Sequence, residues 1–251
     1  MRKFTFIVVC IFGFALNGLA DTNPLIEKAK RTGECKECDF SKANLSGVDL
    51  KDANIDGSDL KGADLRGIKL ADCGQCDFTG ANLSGSDLEN ASLDEAIFNN
   101  SDMTQAKCKD AYIHHSEFKG ANLTNADMGR VDVTKGDFIG ANLTKASFVG
   151  AKLKHAVLKN AILKDADFSS ADLSNVDLTS ANLEGAKFKG AVMGRAELED
   201  ARLSGTDFSG ADFEDNLSFS NRSQYVSDYK IYCRDLLKRG AIIDSATKCI
   251  K

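Results

Sequence analysis

The residues of this chain best suited to do chemistry are its cysteines. It has eight, and four of them form two Cys-x-x-Cys pairs, Cys35–Cys38 and Cys73–Cys76. Such a spacing serves redox catalysis, metal binding or a local disulfide. A redox pair belongs at a helix start in a βαβ setting, and neither pair has that context. Zinc requires the ligand sulfurs to converge at about 2.3 Å from one metal. A disulfide needs less, because the ends of a four-residue corner lie within about 7 Å, inside the range a disulfide bridges. Local disulfides fit best, with free thiols and metal ligation as the alternatives.

The compartment bears on that choice. Residues 1–20 read as a secretory signal peptide: Arg2 and Lys3 make a basic start, Phe4 to Leu16 is apolar, and Gly18-Leu19-Ala20 offers small residues for cleavage. The apolar run is too short to span a bilayer, and Asp21 is expected to begin the mature protein. Seven cysteines survive cleavage, and a periplasmic or extracellular compartment favours disulfides. No later segment is long and apolar enough to cross a membrane. An uncleaved anchor is the alternative reading of the same residues.

What positions the cysteines is a five-residue period. Ala81-Asn82-Leu83-Ser84-Gly85 and Ala171-Asp172-Leu173-Ser174-Asn175 show it clearly, and from Phe78 to Phe213 every fifth residue is apolar. Two residues before each stands a small residue, most often Ala, with Asp or Asn usually between them. Five is neither the helix nor the strand period. A fixed short period points to a solenoid in which each unit buries its apolar residue against neighbouring units.

This pattern resembles the pentapeptide-repeat family, A(D/N)LXX, over about residues 35–216. The resemblance implies an all-β fold, a right-handed quadrilateral β-helix with four pentapeptides per turn, inward-facing apolar and small residues, and short caps at both ends. The sequence carries its own sign of four units per turn. Phe78, Phe98, Phe118 and Phe138 are spaced by twenty, as are Phe148, Phe168, Phe188 and Phe208. Each set should stack coil upon coil at about 4.8 Å. The two sets should lie on opposite sides and scarcely overlap, with Leu158, Leu178 and Leu198 taking over the first row in a close-packed core. A zinc shared by both Cys-x-x-Cys pairs would have to span about 10 Å along the axis.

The apolar register runs from 40 to 70 in fives and then jumps from 70 to 78. The jump predicts three extra residues bulging near Asp72–Gln75, within 71–76. Cys-x-x-Cys-Asp-Phe occurs on both sides of it, and some family members resemble the chain in carrying Cys-x-x-Cys at the N-terminal edge. Cys108 takes a central apolar position and reads as a small buried hydrophobe. Residues 21–34 read as an N-terminal cap, a short helix with Pro24 in its first turn. Residues 217–251 read as a C-terminal cap, with Tyr232-Cys233 and Ala241-Ile242-Ile243 as short strands around Gly240. A similar Cys-bounded tail closes exported family members, and that resemblance implies a Cys233–Cys249 bridge.

No nucleophile–base–orienter set stands out, and paired carboxylates occur in every repeat, so no enzyme and no cofactor is expected. The formal charge of −5 becomes −7 once Arg2 and Lys3 are removed with the signal. The family's DNA-mimicking gyrase-protection function is the alternative if the chain stays in the cytoplasm. It fails in magnitude: about nine coils make a rod near 43 Å, and DNA of that length carries roughly 25 charges. One band differs. Lys145, Lys152, Lys154, His155, Lys159 and Lys164 crowd together, and Val157 and Ile162 replace the usual Asp or Asn there. The band could bind a protein or an anion. His114, His115 and His155 could suggest a metal, but they are spread along the rod and read as scattered surface residues. The expected partner is a protein rather than nucleic acid, and the open solenoid ends are compatible with an end-to-end dimer. The sequence supports a non-enzymatic, exported structural or interaction module, with an anion- or metal-binding surface as a further alternative.

Overall fold

The computed structural model describes residues 23–213 and 233–247. Within them each pentapeptide uses its residues in one fixed way. In Ala171–Asn175 the small Ala171 and the apolar Leu173 are fully buried. Asp172 between them points out, and its Oδ1 accepts from the backbone N–H of Ser174 at 3.2 Å and from its hydroxyl at 2.7 Å. That local bond is the reason Asp or Asn recurs at this position: a short polar side chain closes the turn that follows. The turn is completed by Val176 N–H donating to Leu173 O at 3.1 Å, with Asn175 at φ 58°. Left-handed backbone suits Gly or Asn, yet His115 and Arg195 hold it at 56° and 61°. The stacked coils above and below impose that conformation, which costs an isolated residue about 1–2 kcal/mol.

The coils are joined by parallel backbone ladders. Leu173 N–H donates to Val192 O at 2.7 Å, and Asp172 N–H to Ala151 O at 2.9 Å. Bridged residues such as Lys152, Asp172 and Val192 stand twenty apart, so one coil takes four pentapeptides. Residues twenty apart form a row along the axis, and four rows of central residues result, named here for Phe78, Leu83, Leu88 and Leu93. They merge into one continuous core. Phe78, Phe98, Phe118 and Phe138 stack with ring centroids 4.7, 4.9 and 4.5 Å apart. Phe148, Phe168, Phe188 and Phe208 stack at 4.8, 5.1 and 5.1 Å in the Leu88 row. The two stacks meet at a single edge-on contact, Phe138 to Phe148 at 6.1 Å.

The break in register takes a different form from the expected bulge at 71–76. Strand β1 (Asp49–Asn54) pairs in parallel with strand β2 (Lys69–Asp72), matching Asp49 to Lys69, Leu50 to Leu70 and Asn54 to Asp72. The unit Ile68-Lys69-Leu70 lacks its two turn residues and runs straight into Ala71-Asp72-Cys73. This coil therefore has eighteen residues, as the pairs Asp59–Asp77, Asp64–Asn82 and Lys69–Asp87 show. Cys73 is not an extra residue but a central one, fully buried, and Cys76 fills the small-residue position before Phe78. Eight residues from Leu70 to Phe78 accommodate a whole pentapeptide once a turn is missing.

Helix α1 (Pro24–Thr32) covers the first coil. Asn23 caps it by accepting from Leu25 N–H at 2.9 Å, Gly33 ends it at φ 71°, and Ile26 and Ala29 are buried. At the other end, Cys233–Lys238 forms helix α2, not the expected strand. Asp235 in its first turn and Lys238 in its last suit the helix dipole, and Leu236 is completely buried. Ala241-Ile242-Ile243 then runs as one more rung. Ile242 bridges Asp207, its N–H donates to Thr206 O at 2.7 Å, and its carbonyl accepts from Phe208 N–H at 2.8 Å. Arg239 ties this rung down through bonds to Leu198 O and Ala201 O at 2.7 and 2.6 Å. The proposed signal segment, the tyrosines at 225–232 and Cys249 lie outside the described residues.

Candidate functional site

The two Cys-x-x-Cys pairs occupy the same corner of the helix. Cys35, Ile55 and Cys73 follow one another in the Leu93 row. In each pair the first cysteine is a central residue and the second is the small residue that opens the next unit. The sulfurs of each pair stand at bonding distance, with Cα atoms 5.6 Å apart in Cys35–Cys38 and 5.4 Å in Cys73–Cys76. The coil between them closes the same corner with a hydroxyl. Ser58 Oγ donates to Cys35 O at 3.2 Å and accepts from Cys38 N–H at 3.1 Å. A whole coil thus separates the pairs. Cys108 lies in the Leu88 row, away from both, and is fully buried. Burial first, then the charges of Asp127 and Asp87, push its thiol up to about 12. It stays protonated at neutral pH and is no nucleophile. The pairing of Cys233 with Cys249 falls outside the described residues.

Outside the core, the side chains tie coil to coil along two directions. Straight ties join residues twenty apart, such as Lys69–Asp49 at 3.2 Å, Arg130–Asp110 at 2.7 Å and Lys152–Asp132 at 3.0 Å. Diagonal ties join residues eighteen apart, such as Lys119–Asp137 at 3.2 Å, Lys154–Asp172 at 3.1 Å and Asn99–Glu117 at 2.8 Å. His114 uses both: Nδ1 lies 3.0 Å from Asp94 and Nε2 lies 3.1 Å from Asp132. Burial raises the Asp132 carboxyl, but bonds from Thr134, Lys152 and His114 outweigh it and hold the group at about 2. This four-coil chain from Asp94 to Lys152 was not among the sequence candidates, although its spacings of twenty and eighteen are readable once the coil length is known. Among the described residues, no group of His, Cys, Asp and Glu converges as a metal site requires. A shallow open hollow lined by Asp56, Gly74, Gln75, Ser92, Asp94 and Glu95 lies beside the second cysteine pair.

The basic band is not one patch. Lys152, Lys154 and His155 belong to the Leu93 row, Val157 and Lys159 to the Phe78 row, and Lys145, Ile162 and Lys164 to the Leu83 row. A sequence run as long as a coil must wrap around it. Three of the lysines are held in ties to neighbouring coils: Lys152 to Asp132, Lys154 to Asp172, and Lys164 to Glu184 at 3.7 Å. What the register sets on adjacent coils of one row is apolar. Ile139 and Val157 take the diagonal positions where Lys119 and Asp137 pair one coil earlier. Ile139 and Ile162 are about two-fifths exposed. Lys159 follows Val157 and has no acidic partner among the described residues.

The repeat register, the ladders at twenty residues and the filled core now stand together. The pentapeptide-repeat family, defined on eight copies of the repeat, matches residues 34–70, 71–107, 106–144, 141–179 and 177–215. The chain belongs to the pentapeptide-repeat family. Its fold is the right-handed β-helix of that family, whose members are in general structural or interaction modules rather than enzymes. No curated protein matches the chain. Among solved pentapeptide-repeat structures, it is 28% identical to HetL, involved in heterocyst differentiation regulation in the cyanobacterium Nostoc sp. strain PCC 7120, over 71% of this chain and 86% of that one, at a TM-score of 0.40. It is 38% identical to a pentapeptide repeat protein from the Arabidopsis thaliana thylakoid lumen over 38% of this chain and 63% of that one, at 0.30. QnrB1, a plasmid-mediated fluoroquinolone resistance protein, is 16% identical over 86% of this chain and 88% of that one, at 0.46. These likenesses say nothing about activity. No helix among the described residues of this pentapeptide-repeat chain is long and apolar enough to cross a membrane.

Proposed function

We propose that this chain is an exported, non-enzymatic rod with a four-sided coil, and that it works as a structural or protein-interaction module. The observation that carries the reading is how the potentially reactive groups are used. Cysteines sit in the wall, Cys108 is buried and protonated, and the carboxylates close turns or tie coils. What is left for a partner is a long, regular outer surface. Four rows of central residues support four sides, one pentapeptide to each. The signal-like residues 1–20 support export, and both Cys-x-x-Cys pairs are then oxidised staples at one corner of the coil. The docking surface in this reading is the patch of the Phe78 row where Ile139 and Val157, with Lys159 beside them, stand in place of the usual polar tie.

N-terminal sequencing of the mature protein tests the export: Asp21 or a close neighbour is expected at the start, and an intact Met1 on soluble cytoplasmic protein overturns it. Crosslinking of the mature protein in its native envelope fraction tests the interaction role. Crosslinks from the Ile139, Val157 and Lys159 patch to one recurrent protein support it, and a rod that forms none there defeats it.

A further inference from the structure

The two cysteine pairs share a corner but not a surrounding, and the difference points to a redox device at the N-terminal end. Resting on the oxidised-staple reading above, we infer that Cys35–Cys38 is the pair open to a dithiol reductant, that its reduction loosens helix α1 and the first coil, and that Cys73–Cys76 stays closed under the same conditions.

The outer pair belongs to the first coil, with α1 beyond it among the described residues. Cys35 Sγ lies 3.7 Å from the carbonyl oxygen of Leu25 in that helix, and Cys38 retains 7% exposure. The inner pair has coils on both sides, the shortened one before it and a full one after it, and neither cysteine is exposed. In a solenoid each coil is held only by its neighbours, so opening proceeds from the ends. Unpeeling α1 and the first coil uncovers Cys35–Cys38. Uncovering Cys73–Cys76 from this end requires two further coils to open. Reduction consumes one dithiol: its thiolate attacks one cysteine sulfur, its second thiol resolves the mixed disulfide, and two electrons and two protons pass to Cys35 and Cys38 while the reductant becomes a cyclic disulfide. Without the covalent link, the opened corner is no longer confined to a four-residue loop, so the frayed state gains freedom and becomes more populated. Ser58, whose hydroxyl bonds both Cys35 O and Cys38 N–H, loses its fixed partners at the same moment. Cys108 takes no part, being buried in another row.

The test uses the mature full-length chain, purified without reductant and titrated with dithiothreitol. Free thiols are trapped by alkylation and mapped by mass spectrometry, and backbone hydrogen exchange is followed in parallel. Labelling of Cys35 and Cys38 is expected at a reductant concentration about tenfold or more below that needed for Cys73 and Cys76, since opening two further coils exceeds a single tenfold step. Faster exchange is expected across residues 24–54 and not across later coils. A Cys35→Ser, Cys38→Ser double variant should show that faster exchange without any reductant. Simultaneous reduction of the two pairs, or unchanged exchange in 24–54 after reduction, overturns the inference alone. Free thiols at all four positions before any reductant is added overturn the oxidised-staple reading and the inference with it.

Discussion

The coils before Phe78 and the coils after it are stabilised in different ways. In the later part, rings stack without interruption: Phe118 has Phe98 at 4.9 Å on one side and Phe138 at 4.5 Å on the other. In the earlier part Phe40 has Leu60 as the next residue of its row, and no ring stack forms. The cysteine pairs, the Ser58 corner bond and the eighteen-residue coil are all in this earlier part. A regular coil with coils on both sides is held well by packing alone. An end coil and a shortened coil have fewer or misaligned neighbours, and there the chain places its corner links. Stability in this rod is therefore local, contributed by core volume where the period is regular and by links at one corner where it is not.

The most severe way to break the regular part is to charge its core. Leu173 is fully buried with coils on both sides, so Leu173→Asp is expected to cost several kcal/mol. Ser174→Asp, one residue on in the turn, gives up the hydroxyl bond to Asp172 and sets a like charge beside it, and should cost only about 1 kcal/mol. Equal losses from the two would mean that the five-residue register is misassigned. Next in size is the ring stack. Phe118→Ala should cost about 4 kcal/mol in denaturant unfolding, and Phe40→Ala clearly less, because the end coil can open by itself. Equal losses for the two would remove the distinction between the regions.

A smaller effect is set by pH. The Asp132 carboxyl, at about 2, lies below the value near 3.8 of an unpaired aspartate. A lowered carboxylate contributes stability that is fully present above the unfolded value and is lost as pH falls through the folded one. Asp132→Asn should therefore lower stability by up to about 2 kcal/mol at pH 7, with the difference from the parent shrinking between pH 4 and pH 2. A constant difference over that range would assign the loss to shape, not charge. Smallest for stability is the outer band. The triple replacement Lys154→Glu, Lys159→Glu, Lys164→Glu removes two exposed ion pairs, and each position should cost within about 0.5 kcal/mol. The three lysines lie in three different rows and only Lys159 flanks the Ile139 and Val157 patch, so Lys159→Glu alone should abolish partner crosslinking as fully as the triple variant does. Unchanged crosslinking would move the docking surface to another part of the rod or to its ends.

The rows were legible because the spacing of the phenylalanines by twenty is written directly in the chain, and volume leaves room for one ring stack at most levels. The shape of the break was not. Eight residues between Leu70 and Phe78 fit either a bulge or a missing turn, and only the pairing of β1 with β2 decides, by making Cys73 a core residue. The band misled for a geometric reason: neighbours in sequence within one coil are carried around the axis, and surface neighbours are eighteen or twenty residues apart. The tail misled because Tyr232-Cys233 is too short a segment to separate strand from helix by period, and Cys233 instead opens the helix that buries Leu236.

The eighteen-residue coil shows what kinds of length change the gene can absorb. Loss of one pentapeptide from a regular coil would advance every later residue by one row, and the phenylalanines before and after the cut would no longer stack. Loss of the two turn residues at one corner leaves all four rows in line, which is why Phe78 still follows Leu60 in its row. Insertions and deletions should therefore survive among relatives as whole coils or as trimmed corners. Single-pentapeptide changes should collect near the two ends, where few coils lie beyond the change to be thrown out of step.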